Sequence, residues 1–144
     1  MSDSMRVLEY DLARVLLVDD DPTSRLTLKK VLELGGYNVD SAASAAEAVG
    51  KLDEGQYELV LSDLQMESPD SGLKVLAHAK MMDYKPATAL FQTYQNSIPT
   101  LAATRRSSLL ISPEDIPELL GKVADLISER ATRRLERELR LAHA

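Results

Sequence analysis

The run Arg14-Val15-Leu16-Leu17-Val18 is almost wholly apolar and breaks off at Asp19-Asp20-Asp21-Pro22. That break constrains the fold more than any other feature of the chain. An uninterrupted apolar run of this length suits a strand buried on both faces of a parallel sheet. Pro22 suits the first turn of a helix that follows the acidic loop. Leu26, Val31, Leu32 and Leu34 are expected to form that helix's apolar face, and Gly35-Gly36 to close it.

The same alternation continues. Residues 37–42 read as a second strand. Ser44 is expected to cap a second helix, with Glu47 three residues on completing a capping box, and the helix should end near Gly55. Residues 58–63 form a third strand, which again terminates in an aspartate, Asp63. A polar loop from Gln65 to Ser71 precedes a third helix marked by Leu73, Val75, Leu76 and Ala79. Residues 87–91 read as a fourth strand, Ser97 to Ala103 as a short fourth helix, and 108–111 as a fifth strand. A long helix starts near Asp115. Strands alternating with helices imply right-handed crossovers and one parallel sheet covered on both faces. Ligands of such sheets bind beyond the carboxyl ends of the strands, where Asp19, Asp20 and Asp63 stand.

Composition narrows the chemistry. The chain has 144 residues, which fits one domain, with 44% hydrophobic and 28% charged residues. There is no cysteine, which excludes disulfides, thiolate metal sites and a thiol nucleophile. The two histidines, His78 and His143, are too far apart in sequence to suggest a His-rich metal site. No apolar run is long enough to span a bilayer, and residues 1–12 lack the apolar core of a signal peptide, so a cytoplasmic location is expected. A net charge of −6 disfavours nucleic-acid binding by the domain as a whole.

Three carboxylates converging on one pocket repel each other and would titrate together. A divalent cation removes the repulsion, and carboxylates that leave water positions open suit Mg²⁺. An aspartate beside such an ion can also act as a covalent phosphate carrier. Aspartates after strands commonly cap helices or form turns instead. A purely structural role must nevertheless explain the second aspartate, at the end of the third strand.

With those residues in place, the sequence resembles a response-regulator receiver domain of two-component signalling. The resemblance runs from about Arg14 to Ile127 and is strongest in residues 15–21 and 59–63. It implies a flavodoxin-like (βα)5 doubly wound α/β fold with five parallel strands in the order 2-1-3-4-5, to which this chain's own helical stripe adds an extended C-terminal helix. It also implies that Asp63 accepts a phosphoryl group from a histidine kinase or phosphotransfer protein. Mg²⁺ would be held by Asp19, Asp20, Asp63 and the backbone carbonyl of Gln65. No catalytic residue beyond Asp63 is expected, and the chain is not expected to be an enzyme. Gly72 resembles the glycine that opens the family's third helix. Three positions depart from the pattern. Gln92 stands where the family has Thr or Ser, with Thr93 one residue further on. Ser112 stands where the family has Lys, and Leu109 occupies the aromatic switch position. Serine offers one neutral hydrogen bond where lysine offers a charged one, so a weakened switch is expected.

Beyond the third helix the remaining features are plainer. His78 reads as a surface or core-edge residue, and Met66, Met81 and Met82 as gap-fillers. Leu119, Val123, Leu126 or Ile127, Ala131, Leu135 and Leu139 recur at helical steps. Arg130, Arg133, Glu136, Arg137 and Glu138 surround the second half of that stripe and read as a solvated face, with contact to nucleic acid or an acidic partner as the alternative. The expected organisation is an N-terminal extension (1–12), a receiver domain (13–128) and a C-terminal helical extension (129–144). The extension is expected to pair with a second copy or a partner helix. The reading that competes with a phosphate acceptor is a pseudo-receiver, a protein-interaction module working without phosphorylation. A metal-dependent phosphohydrolase is a more distant third, since no basic phosphate clamp is evident.

Overall fold

The computed structural model describes residues 13–64, 66, 68–91, 110–111 and 116–142. Five parallel strands, β1 (Arg14–Val18), β2 (Asn38–Ala42), β3 (Leu59–Asp63), β4 (Ala87–Phe91) and β5 (Leu110–Ile111), pair in the order β2-β1-β3-β4-β5. Four described helices, α1 (Pro22–Leu34), α2 (Ala45–Glu54), α3 (Ser71–Lys80) and α4 (Ile116–Ala142), cover the sheet. This is the expected doubly wound α/β fold. The short helix expected from Ser97 lies outside the described residues. None of the described helices is long and apolar enough to cross a membrane.

Strand alternation sorts the core into two layers. Val15 and Leu17 of β1, Leu59 and Leu61 of β3 and Phe91 of β4 pack with Leu28 and Leu32 of α1 and Leu119 and Val123 of α4. Leu16, Val18, Val60 and Leu90 point to the other face. They pack with Ala48 and Leu52 of α2 and with Val75, Leu76 and Ala79 of α3. Because β1 and β3 are covered on both faces, they can be apolar almost throughout, which is why their runs are uninterrupted.

Helix starts follow their capping chemistry. The Asp21 carboxylate accepts from the Ser24 backbone N–H, with Pro22 in the first turn of α1. Ser44 Oγ accepts from Glu47 N at the start of α2. Glu47 Oε1 in turn accepts from Ala43 N, one residue before the cap, rather than from the cap itself.

The apolar face of α1 differs from expectation. Leu28 and Leu32 are buried and Val31 packs beside them, whereas Leu26 and Leu34 are exposed, Leu34 at 89%. Each of these two lies two residues from a buried leucine, about 200° round the helix, so they cannot share its face. The methionines also divide. Met66 and Met82 pack against the α2–α3 layer, while Met81 is exposed.

The 27-residue α4 runs about 40 Å. Its first half lies on the sheet through Leu119, Val123, Leu126 and Ile127. Leu135 and Leu139, further along the same stripe, are exposed. Arg130 departs from the solvated reading and is buried, with only 8% of its surface exposed.

Candidate phosphate-acceptor site

The acidic site is a product of register. Val18 of β1 pairs with Ser62 of β3, and Asp63 of β3 pairs with Phe91 of β4. One step beyond Val18 therefore sets Asp19 level with Asp63. By alternation both follow the face of Val15, Leu17, Leu59 and Leu61. Asp19 is fully buried and Asp63 nearly so, while Asp20, at the loop start, is exposed. One carboxylate oxygen from each of the three lies within 4.8 Å of the other two.

Asp19 is held firmly. Its N–H donates to Ala42 O across β2, and its Oδ1 accepts from Asp21 N at 3.0 Å. Arg25, one turn into α1, donates from Nη1 to the Asp19 backbone carbonyl at 2.8 Å. Asp19 Oδ2 is buried and accepts no hydrogen bond among the described residues. A buried carboxylate oxygen without a donor is costly unless something else satisfies it. With the three oxygens within 4.8 Å of one another, small side-chain shifts would bring them onto one small hard cation. The donor set thus fits such an ion. Asp21 belongs to the acidic run but not to this cluster, because its carboxylate caps α1.

The floor of the site depends on Gly72. A Cβ there would fall 2.3 Å from the carbonyl oxygen of Asp63 and 2.8 Å from that of Leu64. Only a glycine lets α3 approach the end of β3 this closely. The loop before α3 is tied by Ser68, whose N–H donates to Ser71 Oγ at 3.1 Å and whose Oγ bonds Asp70 Oδ1 at 2.8 Å.

Asp19, Asp20 and Asp63 are brought together as the sequence indicated. Gln65, Gln92, Thr93, Leu109 and Ser112 lie outside the described residues. Arg25 was missed by sequence reasoning, although its place one turn after the Asp21 cap brings a cation back over the acidic loop. His78, expected at the surface or core edge, is partly exposed and bonds Asp53 of α2 at 2.8 Å.

Comparison with known proteins agrees with this geometry. The family model described as "Response regulator receiver domain" matches residues 15–108. The chain belongs to the response-regulator receiver family. Among curated relatives, the transcriptional regulatory protein GlrR of Escherichia coli is 36% identical over 123 residues, covering 83% of this chain and 27% of GlrR. The chain thus spans about a quarter of that relative's length. Among solved structures, response regulator protein TrrA from Thermotoga maritima, in complex with Mg²⁺-BeF, has a TM-score of 0.68 at 30% identity. It covers 80% of this chain and 99% of its own. A receiver domain protein from Clostridium thermocellum superposes with a TM-score of 0.73 at 22% identity, covering 84% and 98% of the two chains, and shares the receiver fold.

Proposed function

We propose that this receiver domain is a phosphoryl acceptor in a two-component relay, with Asp63 as the nucleophile and Asp19 and Asp20 as the Mg²⁺-binding pair. The observation that carries the reading is the buried Asp19 Oδ2, without a hydrogen bond and level with Asp63. The neighbour TrrA, whose structure contains Mg²⁺-BeF, supports the same reading. Mg²⁺ bound among these carboxylates would offset their mutual repulsion and the negative charge of the phosphoryl oxygens.

This chain's own residues do the rest. Asp63, at the end of β3 with its backbone carbonyl against Gly72, places a carboxylate oxygen beside those of Asp19 and Asp20. That oxygen forms a bond to phosphorus as the donor histidine's N–P bond breaks, and the electron pair returns to the imidazole nitrogen. Asp19, fixed by Asp21 N and Arg25, would offer its unsatisfied Oδ2 to Mg²⁺, and the family resemblance implies the Gln65 carbonyl as a further ligand. The partner is a histidine kinase or phosphotransfer protein. The protein acts as an acceptor and not as a turnover enzyme, at a cytoplasmic location. The exposed stripe at Leu135 and Leu139 is a contact for a second copy or a partner helix.

A specific observation favours a second reading, a pseudo-receiver. Ser112 replaces the charged donor that would pair with the phosphoryl group, and Gln92 replaces the reporting hydroxyl. One experiment separates these readings and the phosphohydrolase. The protein is incubated with a small phosphoryl donor and Mg²⁺, and both intact mass and released phosphate are followed. A single stable phosphoryl adduct is expected. No adduct would favour the pseudo-receiver, and continuous release without an adduct would favour the hydrolase.

A further inference from the structure

Arg130, Arg133, Arg134 and Arg137 recur at three- and four-residue steps along one side of α4. Together with Lys85 they line a cavity of about 290 Å³, in which Asp83 is the only acidic lining residue among those described. Asp83 and Lys85 precede β4, so the cavity sits at the amino ends of the strands, the opposite end of the sheet from Asp63. Arg130 is fixed there. Its Nε donates to Lys85 O at 3.0 Å and its Nη2 to Tyr84 O at 2.6 Å. Both acceptors are neutral, and they use two of the five guanidinium N–H donors. Among the described residues, Arg134 alone of the four arginines has an ion-pair partner, Glu138 at 3.4 Å.

We propose that this cavity binds an oligophosphate anion, either inorganic or as the phosphate chain of a nucleotide. From Arg130 to Arg137 the helix rises about 10 Å. An oligophosphate places several negative charges within that span, whereas a peptide must align successive acidic side chains on one side to do the same. Guanidinium groups match phosphate oxygens in a bidentate fork. The cavity volume lies just under the usual range for small-molecule sites, which suits a compact anion. Burial also holds the Arg130 guanidinium below its ordinary pKa. Glu58 opposes that shift, while Arg134, Arg133 and Arg137 add to it. A bound anion relieves this crowding. The site is independent of the phosphate-acceptor reading.

The full chain is titrated by NMR in metal-free buffer at about 0.15 M salt, where surface charges are screened within about 8 Å. The probes are inorganic triphosphate, ATP and hexaglutamate. Triphosphate and ATP should give saturable shifts at Tyr84, Lys85 and residues 130–137. Arg133 and Arg137 are exposed, so the Arg133→Gln/Arg137→Gln double variant should melt as the parent does. Its affinity should fall by about tenfold or more, the equivalent of about 1.4 kcal/mol. Equal affinities for triphosphate and ATP identify the phosphate chain as the ligand, and tighter ATP binding identifies a nucleotide; both support the site. Three results would overturn it: no saturable shift, unchanged affinity in the double variant, or hexaglutamate binding more tightly than triphosphate.

Discussion

At the carboxyl ends of the strands, Asp19 and Asp63 come from two strands and meet through sheet register. At the amino ends, four arginines come from a single helix and meet through helical spacing. Both are clusters of like charge, but their surroundings differ. The acidic cluster places two carboxylates in the interior and one at the surface. The basic cluster buries one guanidinium and leaves the others exposed. A site made by register depends on the whole fold and has little tolerance for displacement. A cluster made on one helix keeps its fold when an exposed member is lost, and its stability depends mainly on the buried anchor.

The largest expected effect falls at the register-built end. Gly72→Ala pushes a methyl group into the Asp63 and Leu64 carbonyls and should cost about 3 kcal/mol in urea unfolding, as overpacking does. Gly121→Ala, in the interior of α4 with open space at its Cβ, should instead stabilise by about 0.5–1 kcal/mol. Equal effects at the two glycines would erase the distinction between the ends.

An intermediate effect is expected at the buried anchor of the basic end. Arg130→Ala leaves the Tyr84 and Lys85 carbonyls without their donor and should cost about 2 kcal/mol. Arg133→Ala, at the exposed rim, should stay within about 0.5 kcal/mol of the parent. Thermal unfolding of the two variants side by side checks this.

Much of this was legible in the sequence because strand ends announce themselves. The apolar runs of β1 and β3 both stop at aspartates, and parallel pairing aligns the stops. The roles within the acidic run were less legible. Asp21 caps α1 while Asp19 and Asp20 join Asp63, and a string of identical residues does not say which does which. Leu26 and Leu34 misled because hydrophobicity alone does not fix a helix's rotation on the sheet. Arg130 was missed for the converse reason. It sits three residues after Ile127 and seven after Val123, on the buried stripe, where its stem packs and its head finds carbonyls.

The smallest effect lies on the β1–β2 edge, also near the amino ends of the strands, where a charge is matched rather than crowded. Asp40 Oδ2 accepts from Tyr57 Oη and Arg14 Nη2, both at 2.8 Å. Burial raises the Asp40 pKa, but the Tyr57 hydrogen bond and Arg14 outweigh it and leave the carboxyl below its ordinary value. A depressed carboxylate pKa stabilises the fold above the unfolded-state pKa, and that contribution is lost as pH falls through the folded value. Parent and Asp40→Asn should therefore differ in melting temperature at pH 7, and the difference should shrink as the pH drops below about 4. A pH-independent difference would show that the charge plays no part.

The most direct test of the acidic end is to locate the phosphoryl group. The full chain is treated with a small phosphoryl donor, with and without Mg²⁺, and digested, and the modified peptide is mapped by mass spectrometry. One modification is expected, on Asp63, that requires Mg²⁺ and disappears in Asp63→Asn. Modification of Asp19 or Asp20, or an adduct that survives in Asp63→Asn, would contradict it.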